Sequence, residues 1–321
     1  MAKKGSLKKA KSKGTKAHAT KNKALKGVPA PRALTDSVEL ADWLELKALS
    51  SRDGNASKSD LSGLLRRAGG YDPAKDADAV ERLCLAAFSE LDTRPKAAGD
   101  SYPFIIKPGL IRVRAHALTN YAAYVFCLCL SAWRWMNAKE RPKNARQLFE
   151  DLSCFAAKNY LGGEVLRFAS PRLPELKTFS TAIDHLCQAV GEGAGYRKNQ
   201  PAGSKKDDTL DVVAWKSFPD TRFGKIILFG QCASGGDWTA KRSELQPSAF
   251  IGQWIEPDFT VDCVRVFFVP HRMRSDVWKE TARKAGIPFD RCRVSYWAHQ
   301  DGPLPKRHQL IEWSKSVIPR Q

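Results

Sequence analysis

Residues 207–241, DDTLDVVAWKSFPDTRFGKIILFGQCASGGDWTAK, constrain this chain more than any other stretch. An apolar run that opens on acids (residues 210–215), a polar turn containing Pro and Gly, and a second apolar run (226–229) leading into Gln231 predict an antiparallel β-hairpin. In such a pair the start of one strand lies beside the end of the other, so Asp211 and Gln231 are expected at one edge of a sheet. Their side-chain oxygens, with the main-chain carbonyl of Cys232, make a donor set suited to a hard cation such as Mg²⁺ or Mn²⁺. Such an ion takes one or two carboxylates together with water and phosphate oxygens. Asp207 and Asp208 sit just upstream, placed to reach a second ion or a water on the first.

An amphipathic helix is predicted over residues 145–160, from Leu148, Phe149, Leu152, Phe155 and Ala156 at helical spacing, with Gly162-Gly163 beyond its end. Glu150 lies beside that apolar stripe. The sequence thus presents, in order, Phe149-Glu150 on a helix, Asp207 to Asp211 followed by Val212-Val213-Ala214, and Gln231-Cys232-Ala233. Over the C-terminal half of the chain, this order and spacing resemble the PD-(D/E)xK nuclease superfamily, and most closely its Mrr-type restriction endonucleases. The resemblance implies a restriction-endonuclease-like α/β fold and Mg²⁺-dependent hydrolysis of phosphodiesters. Double-stranded DNA would be the substrate, and the protein would act as an effector in restriction or phage defence, self-associating or working with partner subunits. It implies metal-holding roles for Asp211, Gln231, Cys232 and Asp207, and a helix carboxylate, Glu150, aimed at the same edge. The chain departs from the family at Ala233, where the catalytic lysine falls; some related families carry that lysine on the following helix instead, for which Lys241 is the candidate. Two readings stay open: an endonuclease, or a catalytically inactive nuclease-like fold retained for nucleic-acid binding or assembly.

Charge supports a polyanionic partner. The formal net charge is +19, and residues 1–34 hold ten Lys and one Arg without an acid, so the remainder is basic as well. Residues 1–32 cannot bury enough apolar surface to offset the entropy of ordering, and are expected to be a disordered basic tail. As a phosphate-binding arm they would release counterions on contact with DNA; as a solubilising tail they would not. Deleting residues 1–31 is expected to flatten the salt dependence of DNA binding while leaving the melting temperature unchanged. An unaltered slope in a salt titration would leave the solubilising role. A second basic stretch, residues 191–206 with Arg197, Lys198, Lys205 and Lys206, leads directly into Asp207, and either closes over bound phosphate or is an ordinary connection.

Residues 33–140 are read as a mainly helical recognition or assembly domain, with helices near 36–49, 59–65 and 76–93 and two short strands about Pro108-Gly109. The apolar run at 121–135 is shorter than the roughly 20 residues a membrane span needs, so it is expected to be a buried helix. Residues 141–321 are read as the nuclease domain, a mixed central sheet flanked by helices. Its predicted strands cover 165–168, 210–215, 226–229, 261–269 and 292–297, and its helices 176–190, 237–245, 276–285 and 306–317. The eight cysteines show no zinc-ligand spacing and are expected to be reduced. The basic N-terminus has no apolar segment behind it, so a cytoplasmic location is expected. A cysteine-nucleophile reading of Cys232 with His271 or His299 fails on the strand alternation, which turns Cys232 inward.

Overall fold

The computed structural model describes residues 27–319 apart from 73, 134–143, 173, 204–205 and 301. Most of the basic tail and Lys205 therefore lie outside the described residues. Helix α1 (Ser37–Ser50) begins where the Asp36 carboxylate accepts from the N–H groups of Val38 and Glu39, satisfying donors that the first helical turn leaves free. Strand β1 (Asn55–Ser57) runs into α2 (Lys58–Gly69), started by a reciprocal Ser57/Asp60 capping box. After α3 (Ala77–Ala98), strands β2 (Phe104–Lys107) and β3 (Leu110–Val113) pair antiparallel, and β1 joins β3 to give a three-stranded sheet. Helices α4 (Ala117–Asn120) and α5 (Ala122–Ala132) follow. Every residue of α5 is buried, as its unbroken apolar sequence requires. Among the described residues no helix is long and apolar enough to cross a membrane.

Helix α6 (Ala145–Leu161) ends on Gly162 in the left-handed region at φ 62°. Beyond it come β4 (Glu164–Arg167), α7 (Phe179–Val190), β5 (Val212–Lys216), β6 (Ile226–Cys232), α8 (Pro247–Trp254), β7 (Val264–Phe268), α9 (Ser275–Ala285), β8 (Ile287–Phe289), α10 (Arg291–Ala298) and α11 (Arg307–Val317). The five strands form one mixed sheet in the order β4-β5-β6-β7-β8, antiparallel across the first two pairings and parallel across the last two. Side chains alternate across it. Val212, Ala214, Leu228, Val266 and Phe268 pack with α6 and α10, whereas Val213, Trp215, Ile227 and Phe229 pack with Phe179, Leu186, Phe250 and Trp254 of α7 and α8. The protein is thus mixed α/β, with helices against both faces of its larger sheet.

Two expected elements are corrected. Residues 237–245 do not form an α-helix: only a 3₁₀ turn at Ala240–Ser243 is present, and Pro247 starts a separate helix, α8. Residues 292–297 are helical, not a strand. The Asp290 carboxylate caps α10 by accepting from the Arg293 N–H, and Arg291, Val294, Ser295 and Ala298 are buried at helical spacing.

Helix α10 packs on α3 and α5 as well as on α6, and the apolar cluster holding Leu40, Leu91 and Phe126 continues into Phe268, Leu310 and Trp313. A buried ionic network pins this junction. The Arg94 guanidinium lies 2.8 Å from Asp42 and 2.9 Å from Glu45, Arg291 pairs with Asp42, and the hydroxyls of Tyr102 and Tyr124 donate to Glu45 at 2.8 and 2.9 Å. Burial works to raise the Asp42 pKa, but Arg291 and Arg94 outweigh it and hold the carboxylate below its usual 3.8.

Candidate functional site

The register of β5 on β6 pairs Val212 with Gly230, which brings Asp211 opposite Gln231 at one edge of the sheet. At that edge the ladder is interrupted. The Asp211 carbonyl accepts from both Phe168 and Ala169 N–H groups, at 2.8 and 3.1 Å, an arrangement in which two residues face one, as in a bulge. Just upstream, Asp208 and Thr209 take positive φ values of 45° and 72°. Consecutive non-glycine residues held there store strain of the kind that gathers around functional sites. Asp208 is tied down by the indole N–H of Trp254, which donates to it at 2.7 Å.

With its backbone so placed, the Asp211 carboxylate turns toward α6. Its Oδ2 accepts from the Cys232 N–H at 2.7 Å, while Oδ1 is buried, accepts no hydrogen bond, and lies 3.6 Å from Nη2 of Arg146. The same guanidinium donates from Nε to Glu150 at 2.8 Å and stands 4.0 Å from Asp207. Glu150 also takes Nη1 of Arg167 at 3.2 Å. Three carboxylates from three separate places, Glu150 on α6, Asp207 in the loop and Asp211 at the start of β5, thus gather around one arginine. That arginine is 61% exposed on its side chain, whereas Glu150 is 1% and Asp211 4%.

Burial dominates the electrostatics here. The Asp211 pKa is pushed up to about 7 by burial, with Glu150 and Asp207 adding to the rise and the Cys232 N–H and Arg146 opposing it. Glu150 is raised by burial too, against the pull of Arg146 and Arg167. Half-buried Arg172 sits over the Phe168 ring at 4.6 Å and donates to the carbonyls of Phe168 and Lys206. Burial lowers its pKa in spite of nearby Asp207, so its charge is incompletely compensated. Cys232 is buried among these acids, and burial first, then Asp211 and Glu150, hold its thiol far above the usual range, which removes it as a nucleophile.

Other sequence-predicted residues are placed apart. Gln231 continues the alternation of Ile227 and Phe229 on the opposite face, and its Nε2 donates to Glu244 at 2.7 Å. Lys241, in the 3₁₀ turn, has its ammonium 3.7 Å from Asp237. Arg197 is engaged structurally, donating to Ile255 O and Asp258 at 2.7 and 2.8 Å; Lys198 and Lys206 are exposed. Arg146, Arg167 and Arg172 were not singled out from the sequence, although Arg146 stands one helical turn before Glu150, a spacing at which opposite charges meet.

The chemistry of the donors fits a hard cation: carboxylate oxygens only, one of them buried without a donor, at a place where a positive group already resides. Among the described residues, no three His, Cys, Asp or Glu side chains form a ready-made metal cage. Arg146, standing among the three acids, gives the physical reason, because the carboxylates are spaced around a guanidinium. No protein-family model, curated protein or solved structure matches the chain.

Proposed function

We propose that this edge of the sheet is a divalent-cation site for hydrolysis of phosphodiesters in nucleic acid, with double-stranded DNA as the expected substrate. The convergence of Glu150, Asp207 and Asp211, with Asp211 Oδ1 buried and lacking a donor, carries the reading. These three residues, and not Gln231, would hold Mg²⁺ or Mn²⁺. Bound there, the ion would lower the pKa of a water and stabilise charge on the phosphate oxygens. The chain's own residues would do the rest. Arg167 keeps Glu150 oriented, the Cys232 N–H keeps Asp211 oriented, and Arg172, which donates to the Lys206 carbonyl just before Asp207, is the cation beside the acids that phosphate would meet. The net positive charge of the chain draws the polyanion without selecting its sequence.

The binding-module reading is favoured by one specific feature, Ala233, buried where a nuclease of the resembling family has its lysine. Plasmid DNA and RNA incubated with the full chain in Mg²⁺, in Mn²⁺ and in EDTA separate the two. The endonuclease reading expects nicking or linearisation that EDTA stops. DNA binding without cleavage in either metal would give the binding module the better case.

A further inference from the structure

We propose that Arg146 is a displaceable counter-cation, holding the carboxylates together when no divalent ion is bound and turning onto the substrate phosphate when one enters. The inference rests on the reading above and adds the residue that supplies the positive charge Ala233 cannot. Four observations converge on it.

First, Arg146 contacts all three acids, at 2.8 Å for Glu150, 3.6 Å for Asp211 and 4.0 Å for Asp207, so it occupies the place a cation would take. Second, it is the one partner in that group with an open route outward: its side chain is 61% exposed against 18% for Arg167. Arg167 is also held by Asp151 and by the carbonyls of Ala169 and Pro171, so it stays. Third, the charge balance favours it. When ionised, Glu150, Asp207 and Asp211 face Arg146 and Arg167 at ion-pair distance, with Arg172 beside Asp207; turning Arg146 away shifts this cluster by one unit toward negative charge, which favours an incoming cation. Asp151 does not enter the balance because Lys306 neutralises it at 2.5 Å. Fourth, the lysine expected to serve the phosphate is elsewhere, with Lys241 facing Asp237. An arginine fork released beside the ion can take two phosphate oxygens at once, which a lysine cannot.

The test is a calorimetric Mn²⁺ titration of the full-length protein and of Arg146→Ala, Arg146→Gln and Arg146→Lys, with melting curves alongside and plasmid cleavage on the same samples. Removing a competing positive charge a few ångströms from the ion is expected to tighten Mn²⁺ binding on the order of tenfold or more in the Ala and Gln variants. Cleavage is expected to fall on the order of 100-fold, the usual effect of losing one preorganised donor to the transition state. Arg146→Lys is expected to keep wild-type Mn²⁺ affinity and lose part of the cleavage. If a folded Ala or Gln variant binds Mn²⁺ no more tightly than wild type and cleaves as well, the inference fails while the metal-site reading stands. If wild type binds no Mn²⁺ and cleaves nothing, both fail, whether or not the variants bind.

Discussion

Replacing Arg94 with alanine is expected to cost about 3–5 kcal/mol of folding free energy, the range for removing one member of a buried ion pair. The reason is what stays behind. Asp42 and Glu45 are buried, Arg94 reaches both, and its Nη2 also donates to the Val38 carbonyl at 3.1 Å, so the truncation leaves Glu45 with only tyrosine hydroxyls as close partners, takes one of two cations from Asp42 and removes a donor from the Val38 carbonyl. Arg291 remains beside Asp42 but stands 3.9 Å from Glu45, too far to replace the lost contact. Lysine at position 94 keeps the charge and loses the fork, so Arg94→Lys should fall between the two. Chemical denaturation at neutral pH measures all three, and a loss under about 1 kcal/mol for Arg94→Ala would mean that water or a shifted Arg291 takes over. The network has an acid limit too. Because the folded pKa of Asp42 is depressed, its contribution is present above the unfolded value near 3.8 and is lost as pH falls below it.

That network also marks where the sequence stops being legible. The hairpin from β5 to β6, the buried helix α5 and the amphipathic helix α6 were readable because their periodicity is local and their buried faces are apolar. Helix α10 was not. Its buried stripe is Arg291, Val294, Ser295 and Ala298, and an arginine and a serine disguise the period, while Cys292, Val294 and Tyr296 imitate the alternation of a strand. Arg291 is buried because Asp42, on α1 at the other end of the chain, is there to meet it, and nothing near residue 291 says so. The cap Asp290 was the available local signal.

The candidate site divides the same way. Register alone puts Asp211 opposite Gln231, and the resemblance adds the helix carboxylate Glu150; in the structure both lie against Arg146. Strand pairing fixes which residues are opposite but not where each side chain turns: Gln231 keeps the strand alternation and faces Glu244, whereas the Asp211 carboxylate turns to the Cys232 N–H. Lys241 depended on a helix over residues 237–245. The stretch Gly-Gly-Asp-Trp-Thr-Ala-Lys-Arg-Ser forms only a tight 3₁₀ turn before Pro247 opens α8, so the lysine never gets the reach that a helical turn would have given it.

Asp211→Asn is expected to stabilise the protein and to abolish divalent-dependent cleavage at once. Burial pushes the Asp211 pKa to about 7, far above its usual 3.8. Between those values the unfolded chain has lost a proton that the folded chain keeps, so stability falls as pH rises from about 4 to about 7, and the loss is complete above the folded pKa. The gap corresponds to about 4 kcal/mol as an upper figure, since each pKa unit is worth about 1.4 kcal/mol. Asparagine has the same shape, can accept the Cys232 N–H, and carries no charge to desolvate. Its melting temperature should therefore exceed that of wild type at pH 8 and converge with it near pH 4. The lost attraction to Arg146 offsets part of the gain, but that arginine is largely exposed and screened. Divalent ions should reverse the order: Mn²⁺ at pH 8 should raise the wild-type melting temperature, because binding favours the ionised Asp211, and should leave Asp211→Asn unmoved. Melting curves at pH 4, 6 and 8, with and without Mn²⁺, together with plasmid cleavage, test both halves. Parallel pH profiles for the two proteins would show that Asp211 titrates normally, and equal Mn²⁺ shifts would show that the ion binds somewhere else; a burden of charge carried at Asp211 for the sake of a cation requires both to differ.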